Sequence, residues 1–168
     1  DADFRAFGVE KRHRVARFEE GIEVLRQAWT GERFSFRGKH FDIDDVCVLP
    51  LPIQRPGPPL WIGGWVPAAV DRAGQLGDAL VLGPSMPLAE NVALADRYRQ
   101  AASKAGRTPE IVLMRDAWVG DGLNDAARVY GPEVMQAYKY YWRNGATAFQ
   151  GIESEEAFQF ENMWKDRI

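Results

Sequence analysis

The residues best placed to do chemistry are two adjacent glycines, Gly63 and Gly64. They close a short apolar segment, Leu60 to Ile62, and lead through Trp65, Val66 and Pro67 into a segment of helical pattern. A glycine turn between the carboxyl end of a strand and the amino end of a helix exposes backbone N–H groups with the helix dipole behind them. That makes it a generic cradle for an anion such as phosphate. A phosphate there requires glycine, because a Cβ would block close approach of the backbone. The same pair is equally well explained as a sterically required turn with no ligand. Neither the G-x-G-x-x-G fingerprint nor the P-loop pattern fits, since Trp65, Val66 and Pro67 follow the glycines.

Other chemistries find little support. The two histidines, His13 and His40, both stand in polar settings, with no Ser-His-Asp or Cys-His arrangement around them. No second ligand stands at metal-like spacing from His40, so no metal site is expected. The lone cysteine, Cys47, excludes an internal disulfide, permits a reducing compartment, and reads as a partly buried thiol between Val46 and Val48. Carboxylates fall mainly on helix faces, and Asp78 reads as a polar cap at the entry to a strand. No acid–base pair and no catalytic residue emerge. A net charge of −3 without a dense basic run gives no reason to expect nucleic acid. No apolar run reaches the length of a membrane span, and the polar amino end is not a signal peptide. A soluble, cytoplasmic protein is the expectation.

The elements that must position the glycine turn follow from periodicity and punctuation. Phe4 to Phe7 read as the end of a connection, with Gly8 as a break. Val15, Phe18, Ile22, Leu25 and Trp29 recur at helical spacing, so a helix is expected from about Glu10 to Trp29. Its arginines and glutamates form a solvated, paired face. Phe34 to Phe36 and His40 to Ile43 alternate around Gly38, which predicts a hairpin. Five prolines between Pro50 and Pro59 make a rigid connection into the strand Leu60–Ile62. A helix from Pro67, stopped by Gly77, and a strand Ala79–Leu82 complete a βαβ unit. Beyond it come a helix from Leu88 to Ala105, with Gly106 as its stop, and a third strand from Ile111 to Met114, able to extend through Ala117–Val119. A helical stretch from Asn124 is expected to break at Gly131-Pro132 and resume. Ser154 is the expected N-cap of a last helix ending near Lys165. The carboxyl-terminal aromatics (Tyr138, Tyr140, Tyr141, Trp142, Phe149, Phe158, Phe160, Trp164) read as core more than as interface. The order of elements is α/β with a parallel sheet of about three strands, flanking helices and a small hairpin. A closed (β/α)8 barrel has eight strands and about 250 residues.

Three stretches carry a resemblance: FEEGIEVLRQAWTGERFSFRGKHFDI, LPIQRPGPPLWIGG and AAVDRAGQLGDALVLG. Together they resemble the luciferase-like monooxygenase superfamily, most specifically in P-P-x-W-I-G-G followed by R-A-x-x-x-G-D. The likeness is specific from Arg12 to Gly83 and looser beyond. It implies a TIM-type (β/α) barrel in which this stretch is the fifth strand, its helix and the sixth strand. The first four strands would then precede Asp1 and the eighth follow Ile168, so residues 1–168 would be a single incomplete barrel domain. The resemblance further implies that Gly63, Gly64 and Trp65 line a flavin site and help hold its phosphate-bearing tail. Gly83 and Ser85 would rim the same face. No catalytic residue carries over. The implied activity is that of an FMN-dependent monooxygenase acting on a small organic substrate with dioxygen. The alternatives are a deazaflavin cofactor with hydride transfer, or a non-catalytic structural fragment of the same fold. Half a barrel leaves open edges, so self-association into a homo-oligomer and inactivity of the isolated segment are expected.

Overall fold

The computed structural model describes residues 2–167, and the chain forms two compact units that divide after Pro59. In the first unit, residues 2–6 are helical (α1, Ala2–Ala6) where a connection was expected. Alanine and arginine are good helix formers, Asp3 complements the first turn, and Gly8 at φ 64° closes the segment. A 3₁₀ turn, Lys11–His13, leads into α2, Arg14–Ala28. Two strands follow, β1 (Phe34–Arg37) and β2 (Asp42–Val46), paired antiparallel with Phe36 opposite Ile43. The expected hairpin is present, with its second strand starting two residues later than the alternation indicated.

Glu20 on α2 holds the hairpin's loop. Its carboxylate accepts the backbone N–H groups of Lys39, His40 and Phe41 at 3.1, 2.8 and 3.2 Å. Burial disfavours the charged form of Glu20, but these three bonds outweigh it and hold the carboxyl below its ordinary range. A depressed pKa in the folded state means the contribution is complete above the ordinary carboxylate pKa. It is lost as pH falls through the lower, folded value. Acid titration from about pH 5 toward 2 is therefore expected to release the loop's amides, read as lost hydrogen-exchange protection at Lys39 to Phe41. Glu20→Gln should flatten that acid dependence; an unchanged profile in the variant would assign the transition to another carboxylate.

The second unit is built on three parallel strands: β3 (Trp61–Gly63), β4 (Ala79–Leu82) and β5 (Glu110–Leu113), in the order β3-β4-β5. Ile62 pairs with Leu80, and Leu80 with Ile111. The connections are α3 (Pro67–Leu76), with Pro67 in its first turn, and α4 (Leu88–Lys104). No closed barrel is present among the described residues. Asp78 joins the strand entries: one carboxylate oxygen accepts the Leu60 N–H at 2.7 Å while the other faces Arg107 at 3.4 Å. The two helices cross on small residues, with Val70, Ala73, Tyr98 and Ala102 almost fully buried. β5 does not extend to Val119. Its last ladder bond, Met114 N–H to Leu82 O, falls where β4 ends, so the following residues have no partner strand.

Helical structure from Leu123 runs on without the expected break. A short turn, α5 (Leu123–Asp125), passes through a π-helical segment, Ala126–Tyr130, into α6 (Gly131–Arg143). Pro132 lacks an N–H and clashes with the preceding turn in a regular α-helix; the wider π turn accommodates it. Gly131 meets the ring of Phe160, which a Cβ would approach to 3.2 Å. The last helix, α7, spans Phe160–Arg167 and is not capped by Ser154. That residue instead precedes a separate 3₁₀ turn, Glu155–Ala157, after which Phe158 turns into the core. A second core joins α6 to α7 through Val134, Met135, Tyr138, Phe149, Phe158, Phe160 and Met163. Trp142 and Trp164 pack against it, whereas Tyr140 and Tyr141 are exposed. The aromatic half is mainly core.

Candidate functional site

Parallel strands end on one side of their sheet, so the turns after β3, β4 and β5 are neighbours. They border a cavity of about 550 Å³. Gly63 and Trp65 come from the first turn, Gly83 and Ser85 from the second, and Met114 from the third. Tyr141 from the last turn of α6, with Ala146 and Ala148 from the residues after it, closes the cavity. Pocket residues from several strand ends are what an open α/β sheet offers a ligand.

The structure thus brings together Gly63, Trp65, Gly83 and Ser85, and it separates Gly64 from them. A Cβ on Gly63 would meet only Val81 O, at 4.0 Å. One on Gly64 would press against Ala69, with Ala69 Cβ and carbonyl carbon both at 3.2 Å. Gly64 is buried, and its lack of a side chain serves the close approach of the turn to α3, so the Cβ expected to block a ligand would block the helix. Gly83 has a third role. A Cβ there would stand 2.7 Å from Trp65 Nε1, so this glycine is where the indole lies against the end of β4. The amino end of α3 presents few donors. Pro67 has no N–H, and the N–H groups of Ala69 and Val70 both go to Val66 O, at 2.9 and 3.1 Å.

Two arginines that sequence reasoning did not single out hold the rim. Arg115 Nη1 donates to Pro84 O, Met86 O and Arg167 O at 3.1, 3.2 and 3.2 Å. Arg167 Nη1 donates to Ser85 O and to Ala148 O, the latter at 2.8 Å, and its guanidinium lies 5.1 Å from the centre of the Phe149 ring. Burial lowers the pKa of Arg167. Arg115 was detectable as the first polar residue after the apolar run Ile111–Met114; nothing in the pattern pointed to Arg167. Beside them Tyr138 donates its hydroxyl to Asp116 at 2.8 Å. Burial, with Asp116 adjacent, pushes the phenol of Tyr130 up to about 12 and that of Tyr138 further in the same direction. These phenols are structural donors and do not reach the cavity lining.

In the first unit the rings of His13 and His40 are 4.9 Å apart, and both residues are half-buried, not surface side chains. Among the described residues no group of histidine, cysteine and carboxylate side chains is placed to hold a metal ion. Cys47 is a partly buried free thiol whose Sγ lies 3.4 Å from Gly31 O. No helix among the described residues is long and apolar enough to cross a membrane.

Comparison with known proteins adds the following. A family model described as luciferase-like monooxygenase matches residues 1–165. The FMNH(2)-dependent dimethylsulfone monooxygenase of Pseudomonas putida is 39% identical over 79 residues, 45% of this chain and 22% of that protein. The F420-dependent glucose-6-phosphate dehydrogenase of Nakamurella multipartita is 30% identical over 99 residues, 58% of this chain and 29% of that protein. The crystal structure of monooxygenase RslO1 from Streptomyces bottropensis superposes with a TM-score of 0.69 at 28% identity, covering 89% of this chain and 46% of that one. The chain therefore spans less than half the length of each of these relatives.

Proposed function

The chain belongs to the luciferase-like monooxygenase family, and from that premise we propose that it forms one side of the flavin site of an FMN-dependent oxidoreductase. The observation that carries this reading is the meeting of Gly63, Trp65, Gly83 and Ser85 in one cavity at the carboxyl ends of three parallel strands. The lining fits a flat ring system: Gly63 leaves open space, Trp65 offers a half-exposed indole, and Val81 and Met114 add apolar surface. No cationic side chain stands among the lining residues. The phosphate-bearing tail would thus depend on backbone N–H groups of the turn from Gly63 to Ala68. When bound and reduced, FMN would supply activation of dioxygen and transfer of one oxygen atom to a small organic substrate. The residues here would bind and orient the ring, and keep water from it. Their acid–base contribution is nil, and the segment alone is proposed to be inactive.

The remaining strands of a (β/α) barrel would come from the rest of the parent protein, a cytoplasmic enzyme in this reading, with the open edges of β3 and β5 covered by them or by a second copy. A deazaflavin cofactor with hydride transfer is the second reading, favoured by the likeness to the F420-dependent dehydrogenase.

Titration of the full-length protein with FMN and riboflavin tests the site. Gly63→Val should weaken both ligands by roughly tenfold or more, because its side chain enters the cavity while valine suits a strand. Gly64→Val should lower the melting temperature instead, by crowding α3 at a cost of about 1–3 kcal/mol. Unchanged flavin affinity in a folded Gly63→Val protein would remove this cavity from the flavin site.

A further inference from the structure

The loop after β5 and the helical stretch from Leu123 bring three oxidisable rings together with two carboxylates. Trp118 is 43% exposed and stacks on Tyr130, with ring centres 5.7 Å apart and planes 12° from parallel. Its indole N–H donates to Asp125 Oδ2 at 3.1 Å. Tyr138, 2% exposed, donates its hydroxyl to Asp116 Oδ2 at 2.8 Å, and the Tyr130 phenol is hydrogen-bonded to the same carboxylate. A line of rings thus runs from solvent into the core, and the N–H or O–H of each meets a carboxylate. Its inner end stands one helical turn before Tyr141, which lines the cavity. Buried indoles and phenols need a hydrogen-bond partner, and any neutral acceptor would serve. A carboxylate does more, because it can take the proton itself.

We propose that Trp118, Tyr130 and Tyr138, with Asp116 as proton acceptor, form a one-electron relay between the surface and the core. In the resting protein the phenols only donate hydrogen bonds. A one-electron oxidant, of the oxygen-radical or oxidised metal-complex class, takes an electron from the Trp118 indole and is itself reduced. The electron that refills the indole comes from the phenol of Tyr130, which stacks on it, and then from that of Tyr138. The phenolic O–H bond breaks, its proton passes to the Asp116 carboxylate, and a neutral phenoxyl radical remains beside a carboxylic acid. In the opposite sense, a radical formed on Tyr138 is quenched by an electron entering at Trp118, and Asp116 returns the proton. The relay therefore lets an oxidising equivalent in the core leave toward solvent. It does not depend on the flavin reading, and its test uses no flavin.

The test places a photo-oxidant beside Trp118. Val119 is 96% exposed, so Val119→Cys in a Cys47→Ser background of the full-length protein can carry a ruthenium tris-bipyridyl maleimide, its position confirmed by peptide mass. Flash excitation with a soluble quencher leaves the oxidised metal complex, and transient absorption follows the radicals. The indolyl radical is expected to form first and to decay as a phenoxyl radical grows at the same rate, more slowly in heavy water. Trp118→Phe should abolish the phenoxyl radical, and Tyr130→Phe should leave the indolyl radical long-lived. Asp116→Asn, nearly unchanged in shape, should slow the transfer by roughly tenfold or more, because the proton loses its acceptor. Tyr138→Phe should alter the hyperfine pattern of the phenoxyl radical in frozen samples, since the radical then rests on Tyr130 alone. No phenoxyl radical in the labelled parent would overturn the relay. So would transfer unchanged in Tyr130→Phe or in Asp116→Asn, or a hyperfine pattern indifferent to Tyr138.

Discussion

A valine in place of Gly74 is expected to lower the melting temperature by roughly 10 °C, a backbone-packing effect at the crossing of α3 and α4. Gly74 lies on the face of α3 that meets α4. A Cβ there would stand 2.7 Å from both Ala101 Cβ and Ala102 N, and 3.0 Å from Ala101 C. Two of those three atoms are backbone, so no rotamer change relieves the contact and the helices must move apart. The neighbours Val70, Ala73 and Ala102 are almost fully buried, so separation opens voids on either side. Helix propensity works in the opposite direction: alanine at this position gains about 1 kcal/mol over glycine. Overpacking at about 1–3 kcal/mol outweighs it, and valine adds two methyl groups to the same clash. Gly74→Ala should therefore be mildly destabilising and Gly74→Val strongly so. Thermal unfolding followed by circular dichroism, with exposed Gln75→Val as the control, decides the matter. A Gly74→Val protein melting within a degree or two of wild type would show that the α3–α4 crossing has slack the distances deny.

This crossing also shows what was legible before the structure. The βαβ unit could be read because its signals are local: Pro67 at the first helical position, Gly77 just past the last, and the unbroken run Ala79–Leu82. The strand before it begins at Trp61, one residue later than its apolar run indicated, since pairing with Ala79 sets its ends. What could not be read depends on distant atoms. Gly131-Pro132 carries a break signal, yet the π segment before it and Phe160 against Gly131 keep the helix whole. Ser154 has the right chemistry for a cap, but burial of Phe158 moves the helix start beyond its reach. At the site, family resemblance indicated Gly63 and Gly64 together, and only the position of Ala69 separates the roles of the two. Arg167 had no sequence signal, because its partners are carbonyls 19 and 82 residues away.

Phe149→Ala is expected to cost about 3–5 kcal/mol and, unlike the valine at Gly74, to act on the cavity as well as on the fold. Phe149 is 2% exposed and sits between Tyr138 and Phe158, with ring centres at 5.3 and 5.4 Å. It is one residue from Ala148 in the cavity wall, and the Arg167 guanidinium rests on its ring at 5.1 Å. Removing the ring leaves a cavity in the aromatic core and takes the platform from a half-buried cation. The first effect dominates: loss of a buried phenyl costs about 3–5 kcal/mol, while a desolvated cation–π contact contributes about 2 kcal/mol at most. Phe149→Leu separates the two, since leucine refills much of the volume and offers no π face. It should recover most of the stability, read as the urea midpoint, and still loosen Arg167. That loosening should appear as faster hydrogen exchange of the amides around Ser85 and Ala148, whose carbonyls Arg167 holds. Arg167→Met in the Phe149→Leu background should add little further exchange there, because the two changes remove the same tie. If Phe149→Leu leaves exchange at Ser85 and Ala148 as in the wild type, the ring does not position the arginine. If instead Phe149→Ala unfolds no more easily than Phe149→Leu, the aromatic core is not what holds the wall in place.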